Sequence, residues 1–308
     1  MNAIRLRHLI LDAAEHVPFY KRHWRAAGVD LTRIASAVHL EFLPVVRRAD
    51  LLACPPELRV DQRSLGVPSD HASLKRRRSR FWNALRDVGY VPGEKLMLIA
   101  APPFSVGAAF LRWTYADVNR GEAEVFATYA RVRPTVLYGP LSSLVLLARR
   151  MLATPEVTSR PKLVISTAGQ LTDAQRTLLE TAFNARVADF YGTPELGLVA
   201  YSKPGLSGYH VLTREFHIET IRAGSSGLER LVVTDLGGGF TPLIRFDTGD
   251  LVRRDLARAG KPIVQVCGEE VAAPQAPAGS YVSPYAQPVE LDRMTGIDGM
   301  DDIGQAMA

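Results

Sequence analysis

The sequence predicts an α/β fold: helices layered on a mostly parallel sheet, followed by a β-rich subdomain. Three observations predict it. Short apolar runs of strand character alternate with helical stretches from about residue 80 to residue 175, the pattern of parallel strands joined by helices. After Gly192 the pattern changes to alternating, β-branched segments. Apolar residues make up 47% of the 308, enough for a sizeable core.

The elements follow in order. Ala3 to Arg25 is helical, with Leu6, Leu9, Ala13 and Val17 as the apolar stripe and Pro18 as an interruption or restart. Pro55 to Ser73 carries prolines and polar clusters without periodicity and is expected to be loop. Arg80 to Val88 is helix, Lys95 to Ala100 a buried strand, and Val106 to Asp117 helix again. Thr135 to Tyr138 is strand, Leu141 to Leu152 helix, and Lys162 to Ser166 strand. Thr172, with Gln175 three residues on, has the spacing of a capping box and opens a further helix. Glu215 to Ile221 and Glu229 to Thr234, separated by Ala223 to Gly227, predict an antiparallel meander. Glu270 to Ala308 is rich in Pro, Ala and Gly, with one short helix expected around Val289 to Met294. The expected organisation is an α/β core over 1–208, a β-rich subdomain over 209–255, and a hinge remnant with a tail over 256–308.

Composition narrows the function classes. Charged residues at 22% speak against disorder. Two cysteines, Cys54 and Cys267, make no disulfide framework and suit a reducing cytoplasm. No apolar run approaches a membrane span, and the N-terminus lacks a signal-peptide pattern, so a cytoplasmic location is expected. The net charge of +5 suits ordinary solvated surface, and also a phosphate-rich ligand or an acidic carrier protein. The basic run Lys75 to Arg80 is expected to be a solvated helix face; docking of CoA phosphates or a phosphopantetheine arm is the sharper alternative. It lacks interleaved aromatics, so no nucleic-acid partner is expected. There is no Gly-x-Ser-x-Gly elbow and no Gly-x-Gly-x-x-Gly after a strand, and the seven histidines show no zinc-ligand spacing.

Two segments carry chemistry. Asp189-Phe190-Tyr191-Gly192-Thr193-Pro194-Glu195-Leu196-Gly197 begins as a strand and is expected to break at glycine into an exposed turn. That places an aromatic, a hydroxyl and a carboxylate at a strand end, where open α/β sheets bind ligands. Pro242-Leu243-Ile244-Arg245-Phe246-Asp247-Thr248-Gly249-Asp250 sets acids and an arginine around a turn. Each alone is compatible with a plain surface turn.

Together, in this order, the two segments resemble the adenylate-forming superfamily, and most nearly the phenylacetate–CoA ligase branch. His16-Val17-Pro18-Phe19-Tyr20-Lys21, Leu43-Pro44-Val45, Gly89 to Glu94, Gly208 to Val211 and Leu231 to Thr234 are also similar to that branch. The resemblance implies roles. Tyr191 would stack on adenine, Thr193 would hydrogen-bond the α-phosphate, Glu195 would hold Mg²⁺, and Asp250 would accept from the ribose hydroxyls. Thr193 and Glu195 would be the catalytic residues. Ala168-Gly169-Gln170 matches the loop along the adenine. Phe104, Gly107, Tyr138, Gly139 and Gly192 would wall the acyl pocket.

The sequence departs from the family pattern in several places. Where members carry a Ser/Thr/Gly-rich phosphate loop, this chain has Asp61 to Asp70, with a single glycine. The hinge position usually held by arginine is Glu269. The expected continuation into a small domain bearing a catalytic lysine reaches only Tyr281 to Tyr285. Of a zinc site found in some relatives, only His210 has a counterpart, so no metal is expected there.

The resemblance therefore implies an ATP- and Mg²⁺-using ligase or cyclase. It would adenylate an acyl or amide oxygen on a carrier- or CoA-bound substrate, with intramolecular capture, as in natural-product assembly. ATP-independent chemistry on a thioester, and a non-catalytic partner subunit, are the alternatives. Acyl substrate and oligomeric state are left open.

Overall fold

The structure is a computed structural model and describes residues 2–31, 40–67, 69–101, 112–205, 208–224, 227–253 and 265–269. In chain order the N-terminal part forms α1 (Asn2–His16), α2 (Pro18–Ala26), β1 (Val46–Arg47), α3 (Arg48–Leu52), α4 (Pro56–Arg59) and α5 (His71–Asp87). Then come β2 (Leu96–Ala100), β3 (Trp113–Asp117), α6 (Glu122–Val132), β4 (Val136–Pro140), α7 (Leu141–Leu152), β5 (Leu163–Thr167) and α8 (Asp173–Phe183). Seven strands complete the chain: β6 (Arg186–Thr193), β7 (Gly197–Ser202), β8 (Tyr209–Val211), β9 (Phe216–Arg222), β10 (Glu229–Asp235), β11 (Phe246–Arg253) and β12 (Gln265–Glu269). The predicted α/β class, with a mostly parallel sheet and a β-rich part, is borne out.

The chain divides into two compact units, one formed by Met1–Leu85 with Tyr191–Ala276 and the other centred on Arg86–Phe190.

The Arg86–Phe190 unit is a parallel sheet in the order β3-β2-β4-β5-β6. Its strands are near-continuous apolar runs because α6, α7 and α8 supply the covering side chains. Met97, Ile99, Leu137, Val164 and Val187 meet Tyr129, Leu144, Leu147 and Phe183 in one core. The stripe Leu141, Leu144, Leu147, Ala148 and Met151 explains the helical period of α7. The capping box predicted at Thr172 and Gln175 forms.

In the other unit, β9, β10 and β11 make the predicted antiparallel meander. β1 adds in parallel to β11, pairing Val46 with Phe246 and Arg47 with Asp247. The N-terminal helices close on it through Tyr20. Its hydroxyl donates to the Pro242 carbonyl at 2.9 Å and accepts from the Ile244 N–H at 2.9 Å. Pro18 starts α2 instead of breaking a longer helix, since its missing N–H costs nothing at a first turn.

Three local expectations are corrected. Trp113 to Asp117, expected as the end of a helix, is strand β3, because it pairs in register with β2 from Leu96–Trp113 to Ala100–Asp117. Residues 55–73 are not all loop: α4 lies inside them and α5 begins at His71. The turn after β6 is exposed only in part: Gly192 and Pro194 are exposed, Thr193, Glu195 and Leu196 are buried, and the strand runs through Gly192. Val106 and the Val289–Met294 helix lie outside the described residues. Among the described residues no helix is long and apolar enough to cross a membrane.

Candidate functional site

The site is built around the end of β6 and the middle of β11. Gly192 continues the strand because any side chain there would collide: an added Cβ would lie 2.2 Å from the Gly197 carbonyl oxygen. The turn Pro194 to Leu196 is closed by the Leu196 N–H, which donates to Thr193 Oγ1 at 3.3 Å and leaves the threonine its own proton to give. Arg77, on α5, donates to the carbonyls of Pro194 and Glu195. The turn is therefore fixed from outside as well as within.

Tyr191 and Asp250 meet. The tyrosine hydroxyl donates to Asp250 Oδ2 at 2.5 Å. Asp250 is half-buried on β11, after Gly249 at φ +80°, and its own N–H donates to Thr248 Oγ1 at 3.2 Å. Burial, and then the neighbouring carboxylate charge, push the Tyr191 hydroxyl well above the usual tyrosine range. Tyr209 packs edge-on to Tyr191, with ring centroids 6.4 Å apart. The other charges of the 242–250 motif are structural. Arg245, at φ +50°, holds Glu219 through contacts of 3.1 and 3.0 Å, and Asp247 pairs with Arg230 at 3.2 Å.

Glu195 is 2% exposed and engaged by Arg48. Arg48 Nε donates to Oε1 at 2.9 Å and its Nη2 to Oε2 at 3.4 Å. Arg48 opens α3, directly after the strand β1 that β11 pairs with, so the same strand positions Arg48 and Asp250. This arrangement does not fit Mg²⁺ on Glu195. A hard cation needs the oxygens that the guanidinium occupies, and the described residues hold no group of three potential protein ligands. His210 packs on Tyr201 at 5.2 Å.

The stretch expected at the phosphate loop is closed on itself. The N–H groups of Arg63 and Ser64 donate to Asp61, that of Val67 to Ser64, and that of Asp61 to the Phe240 carbonyl. Asp70 accepts from the Ser73 N–H and hydroxyl and from the Phe240 N–H. Burial opposes its ionisation, but these bonds and the charge of Arg76 hold Asp70 below the usual carboxylate range. Two acids and inward-facing amides do not fit a triphosphate.

The remaining predicted residues lie in the parallel-sheet unit. Gly169 follows β5 in an exposed turn after Ala168 at φ +51°, at the carboxyl edge of the sheet. Gly139, on β4, is required by packing, since a Cβ would sit 2.8 Å from Ile99 Cβ. Tyr138 lies edge-on to Phe190 at 6.0 Å, and burial pushes its hydroxyl up to about 12. Phe104 and Gly107 lie outside the described residues.

Arg48 and Arg77 were missed by sequence reasoning. Nothing local marks Arg48. Arg77 belongs to a stripe, Ser73, Arg76, Arg77 and Arg80, whose helical spacing was the available signal. The run is solvated in part: Lys75, Arg78 and Ser79 are exposed, whereas Arg80 is 5% exposed and lies over the Phe216 ring at 4.6 Å.

No protein-family model and no curated protein matches the chain. Solved structures do. A 2-hydroxyisobutyryl-CoA ligase, in an open conformation with 2-HIB-AMP and CoA, superposes with a TM-score of 0.68 at 20% identity over 87% of this chain and 69% of that one. The same ligase in its postadenylation state, with R3-HIB-AMP, gives 0.67 over 87% and 67%. The chain shares the fold of this CoA ligase. Within this fold the chain carries the Tyr191–Asp250 contact, the Glu195–Arg48 pair and the closed turn at 61–67.

Proposed function

We propose that the chain is an acyl-activating enzyme of the phenylacetate–CoA ligase-like branch that retains the adenylate-holding half of the site. The observation that carries this reading is the pairing of Tyr191 with Asp250 beside a turn that presents the Thr193 hydroxyl. An aromatic ring, a carboxylate able to accept from ribose hydroxyls and a hydroxyl donor suit adenosine, ribose and an α-phosphate in turn.

The reaction is transfer of an adenylyl group to an acyl or amide oxygen. That oxygen bonds to the α-phosphorus of ATP, the bond to the bridging oxygen breaks, and pyrophosphate leaves. A nucleophile within the same carrier- or CoA-bound substrate then attacks the activated carbon, closes a ring and releases AMP. Intramolecular attack needs no second enzymic group beyond correct placement. Thr193 donates to the α-phosphate, and Arg48 supplies the positive charge beside Glu195.

A second reading is favoured by the closed 61–67 turn and by the occupied Glu195: ATP-independent turnover of a thioester. One experiment separates the two. Carrier thioesters and amides are incubated with and without ATP, and pyrophosphate and product are followed together. Pyrophosphate release matched to product supports adenylation; equal product without ATP replaces it with the second reading. Calorimetry with AMP and ATP tests the site itself: the two should bind with similar affinity, and absence of AMP binding at millimolar concentration would refute the adenylate-holding role.

A further inference from the structure

We infer that the cavity on α5 lined by Lys75, Arg76, Ser79, Arg80, Asn83 and Glu215 is an anion site built for a small phosphate monoester, separate from the adenylate site. The cavity is an open groove of about 370 Å³. Its lining carries three cations against one acid. Lys75, Arg76, Ser79, Arg80 and Asn83 recur at helical spacing, so one face of α5 presents these five, and Glu215 approaches from just before β9.

Arg80 makes this more than a basic surface. It is 95% withdrawn from solvent, with 5% exposure, yet its Nε and Nη1 have no hydrogen-bond partner. Arg76 Nε is in the same condition. The opposite charge paired with Arg80 is Asp235, whose Oδ2 stands 3.6 Å from Nη2, too far for a good hydrogen bond. One face of the guanidinium is covered by the Phe216 ring. Burial holds Arg80 below its ordinary range and Asp235 above its own, as expected where neither charge fully satisfies the other. A buried cation with idle donors requires an explanation, and a counter-anion supplies one.

The donor set selects the anion. The idle donors of Arg80 suit phosphate oxygens, Arg76 already gives its Nη2 to Ser73 Oγ and the Gly238 carbonyl and adds charge, and Lys75 adds a point charge at the open side. Ser79 and Asn83, both exposed, offer neutral donors to a remaining oxygen. The volume exceeds that of bare phosphate, so an ester is favoured over the inorganic ion. Glu215 can accept from a hydroxyl on the esterified group.

The test is titration of the full chain by calorimetry with inorganic phosphate, glycerol 3-phosphate and chloride at constant ionic strength. Glycerol 3-phosphate should bind saturably and more tightly than inorganic phosphate, and chloride should not compete. Arg80→Met should abolish binding. Because that change could disturb Asp235, the exposed pair Lys75→Ala with Asn83→Ala is the second variant. It should keep its melting temperature and lose about tenfold in affinity, the size of one charge-assisted contact. No saturable binding of either phosphate at millimolar concentration, or unchanged affinity in the Lys75/Asn83 variant, would overturn the proposal.

Discussion

Tyr191 gives its hydroxyl proton to Asp250 across 2.5 Å, tying the end of β6 to the middle of β11 although 59 residues separate them. Asp250 Oδ2 is thus already an acceptor before any ribose arrives. The pair is both a structural tie and the centre of the proposed site.

Loss of Asp250 should show in binding more than in folding. Asp250→Ala is expected to weaken AMP by about 1–3 kcal/mol, the cost of charged hydrogen bonds. Tyr191→Phe retains the ring and should bind AMP at least as well as the unaltered chain, since it frees the carboxylate. Calorimetry on both variants checks this, and a large loss in Tyr191→Phe would contradict the assigned roles.

Arg48 and Glu195 make a second testable pair. Arg48→Ala leaves a fully enclosed carboxylate without its cation. Breaking a buried pair costs about 3–5 kcal/mol, and the loss should fall below that because the Arg48 side chain is 35% exposed. Adding Glu195→Gln should restore part of the stability. Mg²⁺ should raise the melting temperature of Arg48→Ala while leaving the unaltered chain unmoved, and EDTA should likewise leave the unaltered chain unmoved. A Mg²⁺-dependent shift in the unaltered chain would show that Arg48 yields to the metal.

Gly192→Ala should destabilise by at least the roughly 1–3 kcal/mol of overpacking, because the collision is with backbone and not with a movable side chain. Urea unfolding measures it. An unchanged midpoint would mean the turn relaxes freely.

Alkaline pH should weaken the fold through its buried tyrosines. Tyr129 and Tyr138 are pushed up to about 12, chiefly by burial, and Tyr191 is raised as well. Above pH 10 the unfolded chain loses phenolic protons that the folded chain keeps. Their contribution is therefore complete below about 10 and declines as pH rises towards 12. Denaturant midpoints from pH 8 to 11, with phenolate absorbance alongside, test the sign. Tyr138→Phe should flatten the decline.

Much of this was legible in the sequence, and the failures have physical causes. Helices with an apolar stripe, such as α7, and short buried strands such as β5 were visible because their periodicity is local. β3 was misread because Trp113, Tyr115 and Ala116 carry no local sign of the parallel partner that makes them strand. The start of α5 was hidden because its half-buried positions there include Ser73, Arg76 and Arg77, polar residues that a search for apolar spacing passes over. At the site, Tyr191, Thr193, Glu195 and Asp250 stood within motifs. Arg48, 147 residues from Glu195, did not.

The division of the chain has a consequence for its birth on the ribosome. Arg86–Phe190 is one continuous stretch and can close its sheet as soon as it emerges. The other unit joins Met1–Leu85 to Tyr191–Ala276, and Tyr20 finds both partners, Pro242 and Ile244, more than 220 residues downstream. Until those residues are synthesised, the Tyr20 hydroxyl lacks both of its partners. The stretch around Tyr20 is therefore among the last of its unit to settle, and a nascent chain would need protection there.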